Sequence, residues 1–351
     1  MLRRKTLISE VERVAPALSS KTFVPALRCF NFEDGHVVAY DDIIAIRVPC
    51  TFPIDGCLPG ALMLNMLKAS KAKEVVVSKK DAGVLLVLGC SRVNMPLLTT
   101  ADFPFKPPAD LESEACELAI DAKIRNALEQ ASISLGTDPS AQSRLGITIS
   151  FGGARIAFYS TDGATITRVF VDAVPPKVLQ RSAIILPPRF CEMLVGQSSA
   201  NPITKLFISK SLVEARSKDG LQIFGRVVEG ANTKQFEDIF KANITDTGLV
   251  AIPPTLKHAL KRATILVDMA GADLSRFTIK DGHLHIYTSS PAGEVDDKMT
   301  LQGDDIAKTS PVECVAKRIL RALTLGKKMS FGKVVRISGP GVEHLIVAVM
   351  V

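Results

Sequence analysis

The sequence lacks most of the features that would make a function easy to read. No stretch reaches the roughly 18 uninterrupted apolar residues of a membrane span, although 47% of the 351 residues are apolar. The opening MLRRKTLISEVERV carries basic residues but no apolar signal core, and Glu10 and Glu12 follow at once. A cytoplasmic location is therefore expected. Seven cysteines (Cys29, Cys50, Cys57, Cys90, Cys116, Cys191 and Cys314) are odd in number and scattered. They argue against a disulfide framework and read as reduced core residues.

Catalytic signatures are equally scarce. Neither GxSxG nor HExxH occurs. His283 and His285 lie two apart on an expected strand, so they share a face, but no further ligand stands near them in sequence. No metal and no other cofactor is expected. GKKMSFGK (Gly326 to Lys333) resembles a phosphate loop, yet five residues separate its glycines and Val334 stands where a Ser or Thr would meet magnesium. No Asp/Glu pair is placed as acid and base. These absences point away from an enzyme. The catalytic alternative is a hydrolase with a composite site gathered from distant segments.

What the chain does have is a threefold repeat. A helix-like stretch recurs as LISEVERVAPALSS, AIDAKIRNALEQASIS and IPPTLKHALKRATILV. A strand entered through glycine follows at Gly35, Gly153 and Gly282. A second helix and strand then open at Pro59, Pro187 and Pro311. A period of about one small domain implies three similar domains in a row. Proline-rich or polar seams near Pro104 to Glu117 and Lys241 to Gly248 divide them as 1–115, 116–245 and 246–351. The expected class is α+β, each domain having two helices packed on antiparallel sheets.

The net charge of +7 permits a polyanionic partner, and the cations are spread through all three repeats. Pro311 to Leu325 reads as a helix: Ser310 is a good N-cap, Glu313 completes a capping box and Gly326 stops it. Lys317, Arg318 and Arg321 share its polar face. Other helices carry Lys68 and Lys71, Lys123 and Arg125, Arg189, and Lys257, Lys261 and Arg262. Each set alone reads as a solvated face; on one side of a molecule they would sum to a basic wall.

Several segments also resemble the bacterial DNA polymerase III β sliding clamp, in order and over essentially the whole chain. SSKTFVPALRCFNFEDGHVVAYDDIIAIRV is similar to its basic–Thr–x–Pro–x–Leu entry and the two-strand unit after it. TTADFP (Thr99 to Pro104) is similar to its domain-closing Ala–Asp–Phe–Pro. STDGATI (Ser160 to Ile166), VVEGANTKQFEDIF and TLKHALKRATIL resemble segments of its second and third domains. The resemblance implies a head-to-tail homodimer of three-domain subunits forming a ring around duplex DNA, with helices lining the hole. It implies sequence-blind phosphate contacts, with Lys21 as a DNA-facing loop residue and the helix cations as further candidates.

The resemblance further implies ring closure by Arg92, Val93 and Met95 against Ile265 and Leu266. It implies a cleft for short peptides of the polymerase and clamp loader at Leu145, Thr161, Gly163, Ala164, Thr165, Ile166, Ile239, Ile346 and Ala348. Here the chain departs from the family. Ala164–Thr165 replaces His–Arg, Asp238 replaces an Arg, and Ala348–Val349–Met350 replaces Met–Pro–Met. These changes, with the positive charge, lead to an expectation of altered peptide selectivity and of a phage or mobile-element origin. A non-enzymatic alternative is a clamp-like protein that binds DNA or a partner without closing a ring.

Overall fold

The computed structural model describes residues 1–19, 23–80, 83–108, 111, 115–138, 140, 145–152, 154–197, 201–228, 230–244, 248–270, 274–302 and 310–351. The chain forms two compact units: Met1–Asp121 with Glu192–Val227 (unit 1), and Ala122–Cys191 with Val228–Val351 (unit 2). The sequence-derived boundaries at 115/116 and 245/246 fall inside these units, because each unit holds a large sheet built from two successive repeats.

Unit 1 contains an eight-stranded antiparallel sheet. Its strand order is Gly56–Pro59, Cys29–Glu33, His36–Tyr40, Ile44–Pro49, Gln222–Arg226, Leu212–Ser217, Ile203–Ile208 and Cys116–Ala119. A second sheet runs Leu2–Arg3, Glu74–Lys80, Gly83–Leu88 and Ser91–Pro96. Helices α1 (Arg4–Val14) and α2 (Gly60–Ala69) pack on each other. Leu7, Val11 and Val14 recur at helical spacing and are buried, as are Met63 and Leu67 of α2. Arg4 donates from Nη1 to the Leu67 carbonyl (2.7 Å), placing a cation at the carbonyl end of α2.

Unit 2 repeats this plan. Its eight-stranded sheet runs Ala183–Leu186, Ile147–Phe151, Ile156–Thr161, Thr165–Val171, Val342–Val347, Val334–Gly339, Lys328–Phe331 and Val250–Ala251. A five-stranded sheet runs Gly293–Thr300, His283–Ser290, Ser275–Lys280, Val312–Cys314 and Val349–Met350. Helix α3 (Ala122–Ala131) buries Ile124, Ala127, Leu128 and Ala131 against the larger sheet. Helix α4 (Pro188–Val195) leads the chain back towards unit 1. Helix α5 (Thr233–Asn243) is capped by the Asn232 side chain, which accepts from the Gln235 amide (3.2 Å). Helices α6 (Leu256–Ala270) and α7 (Ala316–Ala322) pack on each other.

The repeat reaches down to single turns. Asp34–Gly35 and Asp281–Gly282 all have positive φ, between 50° and 72°. Such a pair is what a two-residue hairpin needs to match strand twist. In both turns the next residue is a histidine whose Nδ1 meets the aspartate carbonyl, at 2.8 Å for His36 and 2.6 Å for His283. Gly153, the sequence landmark between them, lies outside the described residues.

One expected helix is corrected. Val312–Cys314 is a strand, and only Ala316–Ala322 is helical. Val312 pairs with Phe277 on one side and Met350 on the other, and it is fully buried with Cys314. Sheet pairing of an alternating Val–Glu–Cys segment overrides the local capping signal. GKKMSFGK likewise contains the strand Lys328–Phe331. A Cβ on Gly326 would lie 2.2 Å from the Ser338 carbonyl oxygen, so this glycine serves close backbone approach.

Among the described residues none of the seven cysteines is in a disulfide, five of them are buried, and no His/Cys/Asp/Glu group is arranged to hold a metal. Burial raises the Cys57 and Cys314 thiols to about 12. No described helix is long and apolar enough to cross a membrane.

Candidate docking and nucleic-acid interfaces

Thr161, Gly163, Ala164, Thr165, Ile166, Ile346 and Ala348, among the candidate peptide-binding residues, lie on one turn of unit 2 or on and next to the strand that pairs with it. Asp162 organises the turn: its Oδ1 accepts from the amides of Ala164 (2.9 Å) and Thr165 (2.6 Å). Gly163 takes φ 87°, and the Thr161 hydroxyl donates to the Thr165 carbonyl (2.7 Å). The turn delivers Thr165 and Ile166 opposite Ile346 and Leu345 of the neighbouring strand. The Val347 amide then donates to the Ala164 carbonyl (2.9 Å).

Helix α5 is fixed over this junction. Phe236 and Phe240 pack with Ala157, Tyr159, Ile166 and Leu345. Glu237 accepts from the Tyr159 hydroxyl (2.5 Å) and from Arg168 Nη1 (2.9 Å). The Arg168 guanidinium lies 4.3 Å from the Phe240 ring centre and 4.8 Å from that of Phe170. Burial first, and then the Glu237 hydrogen bond, hold the Tyr159 phenol well above its ordinary value, so it stays a donor.

Placement changes the roles expected for individual residues. Ile166 (7% exposed) and Ile346 (0%) belong to the core and do not line an open groove. Exposed apolar side chains remain at Ile239 (38% exposed) on α5 and at Val347 (54%), which sequence reading did not name. Strand alternation was the available signal: with Ile346 inward, Val347 faces out. Gly163 is exposed, Leu145, Thr161, Ala164 and Ala348 are half-buried, and Thr165 is buried.

Behind the turn lies a buried polar chain. Ser134 Oγ meets the hydroxyls of Thr165 and Thr167 at 2.8 Å each, and Thr167 meets His344 Nδ1 at 2.8 Å. His344 is fully buried, and among the described residues its Nε2 has no partner. Burial lowers its pKa to about 4.

The candidate ring-closure residues lie on or beside sheet margins. Ser91–Pro96 is an outer strand of its sheet, with Arg92 exposed and Val93 half-buried. Met95 is only 2% exposed, so it anchors the strand to its own sheet. In unit 2, Ile265 is 61% exposed on α6 and Leu266 is half-buried. Helix α6 packs against the outer strand Gly293–Thr300, and Arg262 clamps the two through Asp297 (2.5 Å). That strand exposes Glu294 and Asp296.

The candidate DNA-contacting cations sit on or next to helices, apart from Lys21, which lies outside the described residues. Lys68, Lys71, Lys123, Lys257, Lys261, Lys317 and Arg321 are exposed; Arg125, Arg189 and Arg318 are half-buried. Lys68 pairs with Glu12 (2.7 Å), and Arg321 donates to the Ile133 carbonyl (3.3 Å). Arg262 is committed to Asp297 and offers less to a phosphate.

No protein-family model matches the chain. Its architecture is nevertheless shared with solved proteins over its full length, and they define its class: the fold is that of the bacterial DNA polymerase III β subunit, the sliding clamp. A β subunit described as putative from Eubacterium rectale superposes with a TM-score of 0.84 at 14% identity, over 99% of this chain and 98% of that one. The Bartonella birtlesii sliding clamp, solved bound to griselimycin, gives 0.83 at 17% identity over 100% and 98%. The β subunit of Streptococcus pyogenes gives 0.81 at 16% identity over 100% and 99%.

Proposed function

We propose that this chain is a non-catalytic DNA sliding clamp of the cytoplasm. Two copies close head to tail into a ring around duplex DNA and tether a replicative polymerase. The observation that carries this reading is the full-length fold match. Three clamp domains, 1–115, 116–245 and 246–351, make up each subunit. Lysines and arginines on the helices, with Lys21, supply a sequence-blind attraction to phosphates, and topology supplies retention.

Ring closure joins the Ser91–Pro96 edge of one copy to the α6 and Gly293–Thr300 margin of the next. Unpaired sheet edges invite pairing. Arg92 on one edge and Glu294 and Asp296 on the other are complementary in charge, which suits a heterologous, closing contact. Peptides of the polymerase and clamp loader dock at the Gly163–Ile166 turn against Ile239 and Val347. Without the His–Arg pair and with Asp238, this groove favours a partner sequence different from the usual bacterial one.

Sedimentation tests the assembly. The unmodified protein at micromolar concentration should run as a dimer, and Ile265→Ala with Leu266→Ala should release monomers, because a few apolar residues dominate most interfaces. A stable unmodified monomer would favour a clamp-like protein that does not close a ring.

A further inference from the structure

Unit 1 contains a second version of the docking turn. Asp41 Oδ1 accepts from the amides of Ile43 (3.0 Å) and Ile44 (2.8 Å), as Asp162 does for Ala164 and Thr165. Asp42 takes φ 78° where Gly163 takes 87°. Ala45 pairs with Phe224 and Ile44 with Gly225, the same register as Ile166 with Leu345 and Thr165 with Ile346. The side chains differ in volume. Ala45 stands where unit 2 has Ile166, on the same face of the sheet.

Beside the buried Ala45 and Phe224 lies an open cavity of about 220 Å³, lined also by Tyr40, Ile43, Phe105 and Leu212. Its aromatic wall is continuous: Phe105 lies 5.2 Å from Tyr40 and 5.3 Å from Phe224 between ring centres. This is smaller than the ~300–1,000 Å³ of drug-sized ligand sites and suits one bulky apolar side chain. Lys106 and Arg226 stand at its margin, both exposed, and among the described residues neither forms an ion pair. Among the described acids of the turn, Asp41 holds two amides, and Asp42 accepts from the Tyr40 hydroxyl through its carbonyl oxygen (3.1 Å) and more weakly through Oδ1 (3.4 Å).

We propose that this cavity is a second docking site, taking a short acidic peptide segment that inserts one aromatic or leucyl anchor. The apolar wall receives the anchor, and Lys106 and Arg226 receive flanking carboxylates. A peptide fits better than nucleic acid, because two cations beside one small cavity do not make a track for a phosphate chain. The site is separate from the unit 2 groove and does not depend on ring closure.

Fluorescence polarisation on the intact protein tests it with a labelled Ser-Asp-Phe-Asp-Ser peptide. Saturable binding is expected. Ala45→Ile, which fills the cavity, should weaken it about tenfold or more. Ile43→Asp, at an exposed position that leaves the core intact, should do the same. Lys106→Glu with Arg226→Glu should also weaken it, whereas Val347→Asp in the unit 2 groove should leave it unchanged. A Ser-Lys-Phe-Lys-Ser peptide should not bind. Absent binding, binding indifferent to both Ala45→Ile and Ile43→Asp, loss only with Val347→Asp, or displacement by short oligothymidylate would each overturn the assignment.

Discussion

In unit 1 the chain turns at Asp41 and Asp42; in unit 2 it turns at Asp162 and Gly163. Both turns hang two backbone amides on one aspartate oxygen, and both feed a strand that pairs in the same register. In unit 2, Ile166, Leu345, Phe236 and Phe240 close the space, and Glu237 locks α5 over it. In unit 1, Ala45 packs with Tyr40, Phe103, Leu111, Phe207 and Phe224, and an open cavity remains beside Ile43 and Phe105. Backbone pattern therefore sets where a groove can form, and side-chain volume sets whether it is filled.

The sharpest way to break this contrast is to remove packing from each side. Phe240→Ala should cost about 3–5 kcal/mol, since the ring is fully buried. Phe105→Ala, at the wall of a cavity already open, should cost distinctly less in the same urea titrations. Equal losses would show that the two regions are filled alike.

The next difference is in pH response. Where unit 1 pairs Ile46 with Ile223, unit 2 pairs Thr167 with His344. Burial, with the Arg321 charge adding and Asp162 opposing, lowers the His344 pKa from 6.5 to about 4. The native state then binds fewer protons than the unfolded chain between these values. Stability is full above about pH 6.5 and falls as pH drops towards 4, by about 3 kcal/mol in all. His344→Gln should remove this part of the slope in unfolding measured from pH 7 to 4.5. An unchanged slope would place the titration elsewhere.

The smallest effects test the shared backbone. Asp41→Ala and Asp162→Ala each orphan two amides, and each should lower stability by about 1–2 kcal/mol. Closely matched losses support one turn used twice; a neutral change at either would separate them.

Much of this plan was legible in the sequence. The three pairs of helix-like stretches mark α1 to α4, α6 and α7, and Asp–Gly followed by histidine marks two hairpin turns. The DGATI turn was visible from its Asp–Gly. Less visible was anything set by pairing between distant segments. Val312–Cys314 carries a helix start but completes a sheet. Ile166 and Ile346 look like groove residues but are consumed by the core, leaving Val347 outside. The acidic outer strand Gly293–Thr300 and the cavity beside Ala45 depend on which strand lies next to which, and no local pattern carries that information.

The most direct test of the sliding-clamp reading is retention on DNA of defined topology. Protein loaded on a closed circle should persist at a salt concentration that abolishes its binding to linear fragments, without preference for sequence, and a single double-strand cut should release it. Release from the closed circle at the same salt as from linear DNA, or retention after the cut, would contradict it.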